Sequence, residues 1–128
     1  MSERAEGEEP RFSVEQANAM LPDLAPALEA MRGARRVVME SAERVKGNVA
    51  GNGGGSESEG YRDALDLLRR ETERLSTEGV IVRDVESGLV DFPSERDGAP
   101  IFLCWRLGEE EVGFWHPPDT GFGGRRPL

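Results

Sequence analysis

Apolar residues in the first half of the chain recur at Val14, Ala17, Leu21, Leu24, Leu28, Met31, Val38, Ala42, Val45 and Val49. This three-and-four spacing, interrupted at Arg35, is the signature of a helix with one apolar seam in heptad register. Ser13 stands where the seam begins and Gln16 follows three residues later, so the two can close a capping box, with Phe12 as a hydrophobic staple before it. Pro22 and Pro26 each lack an N–H and crowd the carbonyl four residues back. The pattern therefore predicts a short helix near 13–20, a break close to Leu21 and a long helix to about Lys46. The Gly, Asn and Ser run at 47–60 reads as a flexible connector. Beyond it, Tyr61, Leu65, Leu68, Thr72 and Leu75 resume the seam until Gly79 ends the second helix.

Two seamed helices joined by a flexible loop predict an antiparallel hairpin over 13–79. With the loop midpoint near residue 53, Val45 faces Tyr61, Val38 faces Leu68 and Met31 faces Leu75. The same register sets Arg35 beside Glu71 as a polar layer and leaves the stripe over 13–27 without a helical partner. The periodicity then changes. Val80–Val82, Leu89–Phe92, the segment IFLCWRL at 101–107 and VGFWH at 112–116 are short apolar or alternating runs. They are separated by a Glu-Ser-Gly turn, a SERDGAP loop with an Asp97-Gly98 turn, and the GEEE turn. The expected fold is α+β, a long antiparallel helical hairpin packed at one end on a four-stranded antiparallel β-meander. The irregular tail PPDTGFGGRRPL folds back over that sheet.

Composition adjusts this picture in three ways. Residues 1–10 hold four Glu and one Arg and almost no apolar side chain, so they read as a disordered acidic tail ahead of a single domain at 11–128. A net charge of −9 argues against nucleic-acid binding and against an anionic membrane surface. One cysteine cannot form an internal disulfide, and no apolar run approaches the roughly 20 residues that span a bilayer, so a cytoplasmic location is expected.

Both tryptophans, the one cysteine and the one histidine fall between Cys104 and His116. His116 admits two readings, a metal ligand or proton carrier, or a strand-end imidazole packed on Trp115 and bonded to backbone. Arg106 stands in an apolar strand and needs an acidic or carbonyl partner. Asp91 is the nearest candidate, and the alternative is an anion held by Arg106 with Arg125 or Arg126. Cys104 reads as core, because structural zinc sites show paired Cys or His at short spacing; no metal is assigned, although Cys104, His116 and a carboxylate such as Glu111 or Asp119 are conceivable ligands. Glu109, Glu110 and Glu111 read as a solvated turn. No Ser-His-Asp set or nucleotide-binding glycine fingerprint is present, so the sequence leans against an enzyme and leaves the cofactor unknown.

The segments FSVEQANAMLPDL and GLVDFPSERDGAPIFLCWRLGEEEVGFWHPPDTGFGGRRPL resemble a bacterial family of small proteins known as domain of unknown function 2203. The shared pattern runs from an aromatic-[ST]-x-x-x-A-N-x-x-L-P opening through G-x-V-D-F-P, a D-G turn, L-C-W-R-L-G-E and W-H to G-F-x-G-R. Asn18, Asp91, Arg106, His116 and Arg125 match its polar positions. The resemblance implies membership without an activity, and the Gly-rich insertion at 47–60 departs from it. The leading expectation is a non-enzymatic module that self-associates or binds a partner through Val38, Met39 and Val45. The alternative is a small-anion or metal-binding protein, conceivably an enzyme, with Asp91, Arg106, His116 and Arg125 around a site between sheet and tail.

Overall fold

The computed structural model describes residues 11–47 and 55–128, with side chains outside 45–59. The expected acidic tail at 1–10 and residues 48–54 of the expected connector lie outside the described residues. Helix α1 spans Val14–Gly47 and helix α2 spans Gly55–Thr77. Strands β1 (Ile81–Asp84), β2 (Leu89–Arg96), β3 (Ala99–Arg106), β4 (Phe114–His116) and β5 (Arg126–Pro127) form one sheet in that order, every neighbour antiparallel. The fold is thus α+β, as the patterning indicates, with five strands rather than four. Residues 55–60, read from composition as loop, are helical.

The helix start follows the sequence. The Ser13 N–H donates to Gln16 Oε1 at 2.9 Å and the Gln16 N–H donates to Ser13 Oγ at 3.0 Å, which closes the capping box. Phe12 meets Phe92 edge to face at 5.2 Å, and its N–H donates to the Pro93 carbonyl, so the helix is anchored to β2 before it begins. Pro93 stands within β2 at a point where β1, paired only as far as Asp91, has ended. Its missing N–H therefore leaves no gap in the ladder.

The expected break near Leu21 is absent, and α1 runs through both prolines. Pro22 and Pro26 are both exposed and lie four residues apart on one side of the helix, so the carbonyls that lose their donors face water. The opposite side carries Ala17, Leu21, Leu24, Leu28 and Met31, which are buried together with Leu75, Val80, Val90, Phe92, Ile101, Leu103, Trp105 and Val112. Each large aliphatic side chain removed from water contributes roughly 1.5–3 kcal/mol, enough to hold the segment helical against the sheet.

The helix register differs from the loop estimate. With a midpoint at residue 53, Arg74 would stand level with Arg32, yet its guanidinium meets Asp23 at 2.9 Å. Nine residues of helix are about 13 Å, more than one arginine spans. The second helix therefore reaches farther along the first than expected. The Arg35–Glu71 layer is also replaced: Glu71 pairs with Arg74 on its own helix, and Glu86 in the β1–β2 turn receives Arg35 at 3.0 Å and Arg36 at 2.9 Å. Arg32 Nε donates to the Glu86 carbonyl at 2.8 Å, so three arginines of α1 hold one turn of the sheet. The Arg36 guanidinium, with a smaller part from Arg35, holds the Glu86 carboxyl below its usual range.

Turn chemistry explains the rest of the meander. Asp97 and Gly98 have φ of 53° and 81°, the paired left-handed conformations of a two-residue hairpin turn, so SER and AP belong to β2 and β3 rather than to a loop. Gly79 (φ 93°) ends α2, with the Val80 N–H donating to the Leu75 carbonyl at 2.9 Å in the Schellman pattern.

Candidate functional site

The pleat of the sheet sorts its residues. On β3, Ile101, Leu103 and Trp105 point into the core under α1, as the alternation predicts. The register pairs Asp91 with Cys104, Cys104 with Phe114, and Phe102 with His116, placing these side chains on the other face.

Asp91, Cys104 and His116 form a buried cluster on that face, at 2%, 1% and 2% exposure. One ligand atom from each, a carboxylate oxygen, the thiol sulfur and a ring nitrogen, lies within 4.8 Å of the other two. Asp91 Oδ2 accepts from Arg83 Nε at 2.8 Å and lies 3.0 Å from His116 Nε2, while Asp91 Oδ1 is buried without a partner among the described residues. His116 Nδ1 is 2.8 Å from the Pro117 carbonyl. A carbonyl only accepts, so Nδ1 carries the hydrogen, and in a neutral ring Nε2 then presents its lone pair to the carboxylate. That contact is favourable only with a cation between them, either a proton or a metal.

The tail closes over the cluster. A cleft of about 320 Å³ is lined by Arg83, Leu89, Asp91, Cys104, His116, Pro118, Thr120, Gly121 and Phe122. The expected irregular tail is in part regular, with a short 3-10 turn at Phe122–Gly124 and β5 paired to β4. Burial pushes the Cys104 thiol up to about 12, with the Asp91 charge adding to the effect and Arg125 opposing it. The sulfur is therefore a protonated thiol at neutral pH, and the cluster offers no activated nucleophile of the Cys-His kind.

Of the four site residues drawn from the sequence, the fold brings Asp91 and His116 together and sets Arg106 and Arg125 apart from them. Arg106 is exposed and lies over the Phe122 ring at 5.2 Å; it does not pair with Asp91, whose Oδ2 is taken by Arg83 and His116. Arg125 packs on Phe114 at 3.9 Å and Phe122 at 4.6 Å, and donates to both oxygens of Glu109 at 2.9 Å. Glu109 is consequently not part of a solvated turn: it also accepts from the Arg106 N–H at 2.9 Å, and its carbonyl accepts from Trp105 Nε1 at 3.0 Å. Both arginines pack on Phe122, which forms part of the cleft wall.

Arg83 is the residue that sequence reasoning missed, and the carboxylate beside Cys104 and His116 is Asp91 rather than Glu111 or Asp119. The usable signal was Asp91 itself, a carboxylate among Leu, Val and Phe that requires buried partners on its own face. Naming those partners requires the strand register.

Among the described residues no helix is long and apolar enough to cross a membrane. Neither the curated proteins nor the solved structures offer a match to this chain. Residues 11–128 match the family model described as uncharacterized conserved protein DUF2203, and the chain belongs to that family.

Proposed function

We propose that this is a non-catalytic cytoplasmic binding protein whose ligand enters the cleft between the outer face of the sheet and the C-terminal tail. The observation that carries this reading is Asp91, a buried carboxylate with one oxygen unpartnered among the described residues, which lines the cleft together with Cys104 and His116. Buried polar atoms without partners cost about 1–3 kcal/mol, and a guest in the cleft that pairs with one recovers that cost on binding. Thermal unfolding against metal ions, phosphorylated metabolites and organic acids tests the reading. A ligand at about 100 times its dissociation constant adds roughly 2.7 kcal/mol, a shift of several degrees. Gly121→Trp supplies the control, since Gly121 lines the cleft, a Cβ there meets nothing within 4 Å, and the indole is expected to obstruct the cleft. A shift abolished by this variant supports the cleft; silence across the panel removes the reading.

Self-association through the helices is a second reading, favoured by Met39 at 50% and Leu65 at 42% exposure on α1 and α2. Val38 is half-buried, and the side chain of Val45 lies outside the described residues. Sedimentation tests it, and a strict monomer at high micromolar concentration excludes it.

A further inference from the structure

We infer that the cleft ligand is a divalent metal ion of the zinc class, held by Asp91, Cys104 and His116 with one coordination position open to the cleft. The inference rests on the cleft reading above and names the chemistry of its guest. Four observations lead to it. The three donor atoms lie within 4.8 Å of one another. In a tetrahedral zinc site with bonds of about 2.0–2.3 Å, ligand atoms stand roughly 3.3–3.7 Å apart, so closure requires side-chain shifts of about 1 Å. The Nδ1 hydrogen of His116 is held by the Pro117 carbonyl at 2.8 Å, so the Nε2 lone pair, 3.0 Å from Asp91 Oδ2, is turned toward the place a metal would take between them. Arg83 Nε, donating to Asp91 Oδ2 at 2.8 Å, orients the carboxylate as an outer partner does in metal sites, and Oδ1 remains unpartnered.

The donor set selects the metal. One sulfur, one imidazole nitrogen and one carboxylate oxygen suit a borderline-soft ion such as Zn²⁺ or Co²⁺ and disfavour Mg²⁺ and Ca²⁺, which take oxygen ligands. Binding displaces the Cys104 thiol proton to solvent, and the resulting thiolate with the Asp91 carboxylate balances the two positive charges, so the loaded site is neutral in its buried position. The cleft leaves the fourth position to water or a small exogenous ligand.

The experiment uses the full chain stripped of metal by chelator and then titrated with Co²⁺, followed by its visible absorption and its thiolate-to-cobalt charge-transfer band. The expected result is one equivalent bound, with the band present in the wild type, absent in Cys104→Ala, and affinity lowered at least about tenfold in His116→Gln. Circular dichroism confirms that each variant is folded, and should His116→Gln unfold, Cys104→Ala alone decides. Absence of the band in the wild type at millimolar Co²⁺ overturns the inference, as does a band that survives Cys104→Ala. If Co²⁺ fails while an organic ligand still shifts the wild type and not Gly121→Trp, the metal is wrong and the cleft stands. If both fail, both readings fall.

Discussion

Asp91 and His116, one on β2 and the other on β4, meet across β3 with Oδ2 and Nε2 3.0 Å apart, both side chains sealed from solvent. Arg83 reaches the same oxygen from β1, with 43% of its side chain exposed. The two contacts on one carboxylate therefore differ in worth. Removing one partner of a buried pair strands the other, at a cost of about 3–5 kcal/mol, whereas an exposed partner contributes about 0–1 kcal/mol. Asp91→Ala is expected to lower the urea-unfolding free energy of the metal-free protein by about 3 kcal/mol or more, and Arg83→Ala by less than about 1 kcal/mol. Equal losses in the two variants would place the stabilisation at the surface contact instead.

Asn18 ties α1 to the loop before β4. Its Oδ1 accepts the Val112 N–H at 2.7 Å, and Val112 is buried. Asn18→Ala leaves that N–H without its partner and is expected to cost about 1–3 kcal/mol. Hydrogen exchange at the Val112 amide should accelerate in this variant more than exchange in the β2–β3 ladder; uniform acceleration would argue against a local role.

Gly88 closes the β1–β2 turn at φ 71°, and a Cβ there would lie 2.5 Å from the Leu107 Cβ. Gly88→Ala combines a left-handed backbone with a clash against a neighbouring strand end, so a loss of about 1–3 kcal/mol is expected. Gly98→Ala provides the comparison. Gly98 has φ 81° but nothing within 4 Å of its Cβ, so only the backbone strain remains and its loss should be the smaller of the two.

Cys104 sets a pH dependence. Its folded pKa of about 12 lies above the ordinary thiol value of 9.0, because burial disfavours the thiolate. A raised folded pKa gives a contribution that is complete below the unfolded pKa and is lost as pH rises through the folded one. Metal-free wild type should thus lose stability between about pH 9 and pH 12 relative to Cys104→Ala. At pH 8 its thiol should react with a disulfide reagent at least about a hundredfold slower than in the urea-unfolded chain. Equal reaction rates in the folded and unfolded protein would contradict the burial.

The features legible in the sequence are those whose physics closes within a few residues. Ser13 with Gln16, Asp97 with Gly98, and Gly79 after Leu75 each complete a hydrogen-bond pattern with near neighbours, so composition and spacing name them. The apolar seam and the alternation in β3 were legible for a similar reason, since helix and strand periods decide which face a residue occupies. Asp91 and His116 could be singled out as polar residues in apolar surroundings.

Only the tertiary structure decided their company. A strand slip of one residue sends every side chain to the opposite face, so the meeting of Asp91, Cys104 and His116 depends on two strand registers at once, β2 on β3 and β3 on β4. Arg35 found Glu86 rather than Glu71 because the β1–β2 turn lies against α1, a contact between residues 51 positions apart. The prolines stayed within one helix because the side on which they stand faces water while Leu21, Leu24 and Leu28 pack on the sheet. Propensity acts along the chain, and long-range burial decided these outcomes against it.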